Sequence, residues 1–398
     1  MLEGKKIILG ITAGIAAYKS IYLTRLLVKS GAEVRIVMTP ASSAFVSPLV
    51  LSTLSNNKVW IEFQEGAVWH NHVELGSWGD VFVIAPASCN TMAKMANGIC
   101  DNILLATYLS ARCPTVIVPA MDEDMYKHPS TQKNLETLIS FGHQVIPVGK
   151  GFLASGLHGA GRMAEPEDIC LFIEENIFRG RSLLNKHILI TAGPTREAID
   201  PVRFITNHSS GKMGVALAEA CHMQGAHVTL IAGPMSIRPR FRGIEVISVT
   251  SAEEMKDACL KVFPGCGWCI MAAAVADFRP AVVPSEKISK KDGELNISWE
   301  STPDILHILG TLKRDHQVLI GFALETENEA SNALSKLERK NLDFIVMNSL
   351  KTPGAGFETD TNQVSVFGKD RSKRDLPLNS KKKIAEELID IFINKDGR

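Results

Sequence analysis

The residues with usable chemistry fall where short apolar runs end. Gly10-Ile11-Thr12-Ala13-Gly14-Ile15-Ala16-Ala17-Tyr18-Lys19 is a small-residue turn whose backbone N–H groups suit a phosphate. It lacks the GxGxxG spacing of an ordinary dinucleotide site. His72, in Asn71-His72-Val73-Glu74-Leu75-Gly76, offers a group that titrates near neutrality. Ala85-Pro86-Ala87-Ser88-Cys89-Asn90-Thr91 and Pro119-Ala120-Met121-Asp122-Glu123 bring hydroxyl, thiol and carboxylate groups to the ends of two further runs. In the second half, Ile190-Thr191-Ala192-Gly193-Pro194-Thr195-Arg196-Glu197 is followed by Asp200-Pro201-Val202-Arg203 and by Asn207-His208-Ser209-Ser210-Gly211-Lys212-Met213-Gly214. Ser209 and Ser210 are candidate N-caps of the helix beyond them. The stretch also suits phosphate but is not a Walker A loop, because no Ser or Thr follows Lys212. Asp277 leaves another run with a single carboxylate, Ser285–Lys291 is rich in lysine, and Lys336 and Lys340 share a helix face at i, i+4.

These groups need elements to hold them. Apolar strand-like runs alternate with amphipathic stretches, the pattern of buried parallel strands with helices between them. Strands are expected at Lys6–Thr12, Glu33–Met38, Asp80–Ala85, Thr115–Pro119 and Gln144–Val148, with helices at Ile15–Lys29 and Asn90–Ser110. The pattern restarts with strands at Lys186–Thr191, His227–Ile231, Ile244–Val249, Cys269–Ala274, Val318–Phe322 and Asp343–Met347, and helices at Lys212–Gln224 and Ala252–Val262. Val282–Leu295 reads as a mobile loop. The fold class is α/β, with two doubly wound three-layer domains, residues 1–180 and 185–398, which the resemblances given below imply to be flavodoxin-like and Rossmann-like in turn. Ligands of such sheets sit at the carboxyl ends of the strands.

Composition narrows the partners. The 398 residues hold 43 Lys plus Arg and 43 Asp plus Glu, so no global field favours nucleic acid or an anionic membrane. Lys5 and Lys6 before the apolar run Ile7–Ala17 imitate a signal peptide, but the helical pattern continues through Tyr18, Ile21 and Leu26, as a first strand, turn and helix would. No run is long enough to span a bilayer. Most of the eight cysteines lie in apolar runs, which points to a reduced, cytoplasmic protein without disulfides. Cys266-Gly267-Trp268-Cys269 runs into a strand with no second CxxC, so its cysteines read as coincidental and not as a zinc or redox site.

The first half resembles the flavin-dependent cysteine decarboxylases, specifically those acting on phosphopantothenoylcysteine, through Gly14–Lys19, His72–Gly76, Ala85–Ser88, Pro119–Met121 and Gly161-Arg162-Met163 in the family's order. The resemblance implies bound FMN near Gly10, Thr12, Gly14, Ile15, Thr39, Ser88, Asn90 and Thr91, with Met121 against substrate. It implies oxidation of the substrate thiol to a thioaldehyde, loss of CO₂ to give an enethiolate, and return of the electrons by reduced flavin. His72 matches the histidine that handles the thiol proton. Two positions depart from the family. Asp122 replaces an asparagine that holds the substrate carboxylate, and an ionised Asp there would repel it. Ser155, in Leu153-Ala154-Ser155-Gly156-Leu157-His158, replaces a lid cysteine and is a far weaker proton donor.

The second half resembles phosphopantothenate–cysteine ligases, through Ile190–Glu197, Asn207–Gly214, Ala273-Ala274-Val275-Ala276-Asp277 and Glu286-Lys287-Ile288. That implies a CTP-dependent reaction. The carboxylate of 4′-phosphopantothenate attacks the α-phosphate, and the cysteine amine then displaces CMP from the acyl-cytidylate. Asn207 is expected to stabilise that intermediate and Lys287 to reach the nucleotide. Gly193, Ala273, Pro303, Asp304, Ile305, Phe322, Lys336 and Lys340 are expected around CTP, Arg203 at the substrate, and Asp277 at CTP or a Mg²⁺ ion. The fused order of the two domains resembles the bacterial bifunctional enzymes of coenzyme A biosynthesis. Homo-oligomers are implied, with a trimeric flavin domain, a dimeric ligase domain and a dodecamer as one combination. The alternative reading is a ligase whose flavin domain no longer decarboxylates, because of Asp122 and Ser155.

Overall fold

The computed structural model describes residues 2–66, 68–289, 296–325, 329–349 and 359–396. The chain divides into two compact units, Met1–Phe178 and Arg179–Arg398.

The first unit is built on a parallel sheet of β1 (Lys6–Ile11), β2 (Glu33–Met38), β3 (Val59–Trp60), β4 (Val81–Ala87), β5 (Thr115–Pro119) and β6 (Gln144–Val145), in the order β3-β2-β1-β4-β5-β6. Without the two-residue edge strand β3 this is the flavodoxin order. The strands are buried on both faces because Ile, Val and Leu occupy both alternations. Leu9, Ile11, Leu23 and Leu27 pack on one face, Ile8, Phe82, Ile84, Leu104 and Ile117 on the other. The helix expected at Asn90–Ser110 is two helices, Cys89–Ala96 and Ile103–Ser110. Gly98, at φ 70°, turns the chain between them, and Asn102 caps the second through its side chain.

The second unit repeats the plan with β7 (His187–Ala192), β8 (His227–Ala232), β9 (Glu245–Ser248), β10 (Trp268–Met271), β11 (Val318–Glu325), β12 (Phe344–Ser349), β13 (Thr361–Gly368) and β14 (Lys373–Ser380), ordered β9-β8-β7-β10-β11-β12-β13-β14. The first six strands are parallel, and β13 and β14 close the sheet as an antiparallel hairpin. β10 stops at Met271, three residues short of the expected end, because Ala272–Ala276 leave the sheet to line a cleft. Helices Ala252–Val262, Ile305–Leu312 and Glu329–Arg339 cover one face, where Met255, Leu309 and Leu337 meet Cys269 and Met271. On the opposite face Phe392 of helix Lys381–Asp396 packs edge-on to Trp268, and that helix lies against helix Lys212–Met223. Of the loop expected at 282–295, residues 282–289 have no regular structure, and 290–295, with Lys290 and Lys291, lie outside the described residues. Among the described residues no helix is long and apolar enough to cross a membrane.

Candidate functional sites

In the first unit the loops after β1, β4 and β5 are stitched together. The buried Thr12 hydroxyl donates to Pro86 O (2.8 Å) and accepts from Ser88 N–H (2.9 Å), so it joins the loop after β1 to the end of β4. Ser88 caps helix Cys89–Ala96 by accepting from Thr91 N–H, while Asn90 stays exposed on the first turn. Gly14 and Ile15 open a short 3-10 turn with free space around Gly14. Lys19, from the same motif, is buried and donates to Met163 O (2.9 Å) and Glu165 (2.7 Å), which ties the first turn to Gly161-Arg162-Met163. Gly10 was expected at the cofactor, yet it sits inside the core, where an added Cβ would meet Phe82 at 2.9 Å.

Among the described residues of this unit, two buried side-chain polar atoms have no hydrogen-bond partner, Thr39 Oγ1 at the carboxyl end of β2 and His72 Nδ1. Unpaired buried polar atoms are costly and mark places where a polar ligand completes the structure. His72 stands edge-on to Phe63 (6.1 Å) and Trp69 (6.2 Å), at the start of a helix capped by Asn71. The small-residue turn, the open Gly14 and the unpaired Thr39 hydroxyl suit a flavin phosphate and its polar edge. Ser155, exposed on the turn between strands Gly149–Phe152 and His158–Arg162, donates to Asp122 Oδ1 at 2.7 Å. The two positions that depart from the family pattern are therefore bonded to each other.

In the second unit the switch point between β7 and β10 is similarly laced. Ala273 N–H donates to Thr191 Oγ1 (3.1 Å), Ala274 N–H to Gly193 O (2.9 Å) and Ala276 N–H to Thr195 Oγ1 (3.0 Å). Above these loops lies a cleft of about 950 Å³. Asn207, Ala273, Asp277, Pro303, Asp304, Ile305, Phe322, Lys336 and Lys340 all line it. Asn207 Nδ2 donates to Val275 O (2.9 Å), which fixes the amide at the cleft wall. Lys340 pairs with Asp304 at 2.9 Å. Burial alone would raise the Asp304 carboxyl, but Lys340 and the His307 N–H outweigh it and hold it below the usual carboxylate range.

Three expected residues do not line this cleft. Gly193 lies beneath it, with Gly211 packed on its backbone. Arg203 and Lys287 belong to a neighbouring clamp. The Arg203 guanidinium pairs with buried Asp200 (2.7 Å) and donates to Ile288 O, while Ile288 N–H donates to Asp200 Oδ2 (3.2 Å). Burial raises the Asp200 carboxyl, but N–H groups of Val202, Arg203 and Ile288 and the Arg203 charge prevail and lower it. Both polar backbone groups of Ile288 are thus held, which fixes the segment carrying Lys287.

Neither Ser209 nor Ser210 caps the following helix. Its N-cap is Gly211 at φ 74°, where a Cβ would strike the Met235 sulfur at 2.2 Å. For Mg²⁺, no cluster of three or more potential ligands exists among the described residues. Asp277 is an exposed carboxylate on the cleft, enough for an ion held mainly by substrate phosphates and water. Cys266 and Cys269 are buried, and burial pushes Cys266 up to about 12 and Cys269 well above the ordinary thiol range, which removes the reactive thiolate. The residues missed in the sequence are Lys212, Asn348, Asn362 and Lys381, all lining the cleft. Lys212 stood in a quoted motif without a role, and Lys381 opens a run of three lysines that reads as a solvated helix end.

Residues 1–178 match the flavoprotein family model, and residues 183–395 match the DNA/pantothenate metabolism flavoprotein C-terminal domain. The coenzyme A biosynthesis bifunctional protein CoaBC of Bacillus subtilis is 44% identical over 98% of this chain and 97% of its own. The chain belongs to the bifunctional coenzyme A biosynthesis family. A relative from an unknown prokaryotic organism, named cysteine/cysteine sulfinic acid decarboxylase, is 50% identical over 86% of this chain and 98% of its own. The crystal structure of the C-terminal domain of a CoaBC protein is 42% identical, covering 54% of this chain and 98% of that one, with a TM-score of 0.47.

Proposed function

We propose that residues 179–398 join 4′-phosphopantothenate to cysteine at the expense of CTP, and that residues 1–178 decarboxylate the product to 4′-phosphopantetheine. The observation that carries this reading is the convergence of Asn207, Ala273, Asp277, Pro303–Ile305, Phe322, Lys336 and Lys340, from separate motifs, on one cleft. Phe322 and the Lys336/Lys340 helix would hold the base, Asp277 a Mg²⁺ ion with the phosphates, and Asn207 the charge that develops at the acyl-phosphate. Arg203 and Asp200 would position Lys287, which reaches the nucleotide from its clamped segment.

In the first unit FMN supplies the oxidation and reduction of the substrate's thiol carbon. Gly14, Ile15, Thr39, Ser88, Asn90 and Thr91 would hold it, with Thr12 joining the loops. His72, with its unpaired nitrogen, would take or return the thiol proton. Met121 would line the substrate, and the Asp122–Ser155 pair would face the leaving carboxylate and the protonated product carbon.

Protein incubated with phosphopantothenate, cysteine, CTP and Mg²⁺ should turn yellow solutions over to CMP, pyrophosphate, CO₂ and phosphopantetheine. Release of CMP with accumulation of phosphopantothenoylcysteine and no CO₂ would leave only the ligase. Colourless protein and no CMP would refute both halves.

Asp122 favours a second substrate for the flavin unit. A carboxylate pairs with an α-ammonium, which free cysteine carries and the acylated amide of phosphopantothenoylcysteine lacks. The relative named for cysteine and cysteine sulfinic acid supports the same reading. Supplied with free cysteine and no CTP, the protein should then release CO₂ and cysteamine. No product from free cysteine, with turnover of phosphopantothenoylcysteine, would eliminate it.

A further inference from the structure

The helix that carries Lys336 to the cleft, Glu329–Arg339, also borders a second, smaller cavity of about 270 Å³. That is below the ~300–1,000 Å³ of drug-sized sites, so it suits a small molecule. Leu334, Leu337, Glu338 and Asn341 line it at the spacing i, i+3, i+4 and i+7, which is one helix face. Lys336 and Lys340 belong to another stripe of the same turns and line the cleft. Leu337 and Leu342 are buried, whereas Leu334 is 36% exposed, so the cavity has an apolar floor that a ligand can reach.

Charges of both signs surround this floor. Lys369 and Arg371 come from the turn between β13 and β14, and Glu338 from the helix. Among the described residues none of these three side chains makes a hydrogen bond or an ion pair. The turn is firmly held. Gly368 N–H donates to Ser372 O (3.0 Å), Arg371 N–H to Gly368 O (2.9 Å) and Lys369 N–H to Asp343 O (2.9 Å). Asp370, between the two cations in sequence, accepts from Ser372 N–H (3.0 Å) and pairs with Lys395 (2.8 Å). Arg371 has φ 63°, a left-handed conformation that glycine or asparagine adopts at less cost. An arginine at that position presents its guanidinium to the cavity.

We propose that this cavity binds an apolar α-amino acid of about leucine's size, and that the bound amino acid tightens the nucleotide in the neighbouring cleft. Lys369 and Arg371 take the α-carboxylate, which a guanidinium can hold through two parallel bonds. Glu338 takes the α-ammonium, and the side chain lies on the three leucines. A simple anion would satisfy the two cations and leave the Glu338 carboxylate facing it, whereas a zwitterion matches all three charges. The Asn341 amide is committed elsewhere. It donates to Gly310 O (3.0 Å) and so seats the end of the helix on helix Ile305–Leu312, whose capping residue Asp304 pairs with Lys340. A ligand held between Glu338 and the hairpin turn braces the same helical turns that carry Lys336 and Lys340. The coupling rests on CTP being the nucleotide of the cleft; the amino-acid site does not. By linkage, CTP tightens the amino acid by the factor by which the amino acid tightens CTP.

The test is calorimetry on the full chain with L-leucine, L-leucinamide, which lacks the carboxylate, and N-acetyl-L-leucine, which lacks the ammonium. Leucine should bind, and each analogue should bind roughly tenfold or more weakly, the loss of a charge-assisted hydrogen bond. Arg371→Gln and Glu338→Gln replace exposed side chains outside the cleft. Each should weaken leucine roughly tenfold or more, and CTP affinity without leucine should stay within about twofold. Saturating leucine should tighten CTP about fivefold in the wild type and not in Arg371→Gln. Wild-type protein that binds no leucine, or variants that bind it as well as the wild type, would overturn the site. Leucine that binds there without altering CTP affinity would overturn the coupling. Wild-type protein that binds no CTP would refute the nucleotide reading, and the leucine titrations would still decide the site.

Discussion

Asp122 accepts the Ser155 hydroxyl at 2.7 Å, so neither residue acts without the other. Ser155→Cys places a thiol, with an ordinary pKa of about 8.5, where a hydroxyl now stands. If the flavin unit acts on phosphopantothenoylcysteine, this change should raise CO₂ release by about 10²-fold, within the range of a positioned proton donor, as read by a coupled CO₂ assay. An unchanged rate would show that proton delivery is not limiting. In the second unit, Asn207→Ala should lower ligation kcat by about 10²–10³-fold while CTP still binds, measured by CMP release. Much at this scale was legible in the residues. Asn207, Asp277, Phe322, Lys336 and Lys340 were named from their motifs and meet in one cleft. Lys381 was not, because a lysine run at a helix start looks alike whether solvated or buried, and only the packing of helix Lys381–Asp396 on its neighbour sets its exposure at 8%. At Gly10 the packing adds a reason for glycine that the motif does not show: Phe82 occupies the space that a Cβ would need.

Short segments are held by single groups, and their loss should be felt locally. Gly161 has φ 149°, and an added Cβ would lie 2.1 Å from Met121 O. Gly161→Ala should destabilise the first unit by about 1–3 kcal/mol and loosen the loop that carries Asp122, seen as a lower Tm. Asp200→Ala releases the Ile288 backbone and strands the N–H groups that this buried carboxylate accepts, so it should lower Tm and also raise the KM for CTP roughly tenfold; a lower Tm with an unchanged KM would show a purely structural role. Asp304 caps helix Ile305–Leu312 and pairs with Lys340. Its folded carboxyl titrates below the ordinary aspartate range, so the unfolded chain binds the proton more readily. The stability it adds is present above that range and is lost as pH falls through the lower folded value, so acid unfolding should shift upward in Asp304→Asn. Strand and helix types were legible from apolar periodicity, but their ends were set by contacts. Asn90–Ser110 reads as one apolar helix until Gly98 turns it, and Ser209 and Ser210 look like caps until Gly211 takes the left-handed position that the Met235 sulfur reserves for it.

Each unit closes its own core around its own sheet, so the two should fold when expressed apart as residues 1–178 and 179–398. Calorimetry of each piece should show one cooperative transition, and the second piece should still make CMP; a second piece that stays unfolded would contradict this. The doubly wound plan was legible because parallel strands recur as short Val/Ile-rich runs with helices between them. The hairpin that ends the second sheet was not, since β13 and β14 alternate polar and apolar residues and carry the weaker periodic signal. That hairpin has a consequence of its own. β14 is the last strand, almost wholly exposed, and reads Lys373-Arg374-Asp375-Leu376-Pro377-Leu378-Asn379-Ser380, with pairing that shifts register beside Pro377. A border of charges around an imino acid with no N–H to offer gives a passing chain no ladder to climb. A large, mostly parallel sheet, slow to assemble, is thereby closed to polymerisation along that edge.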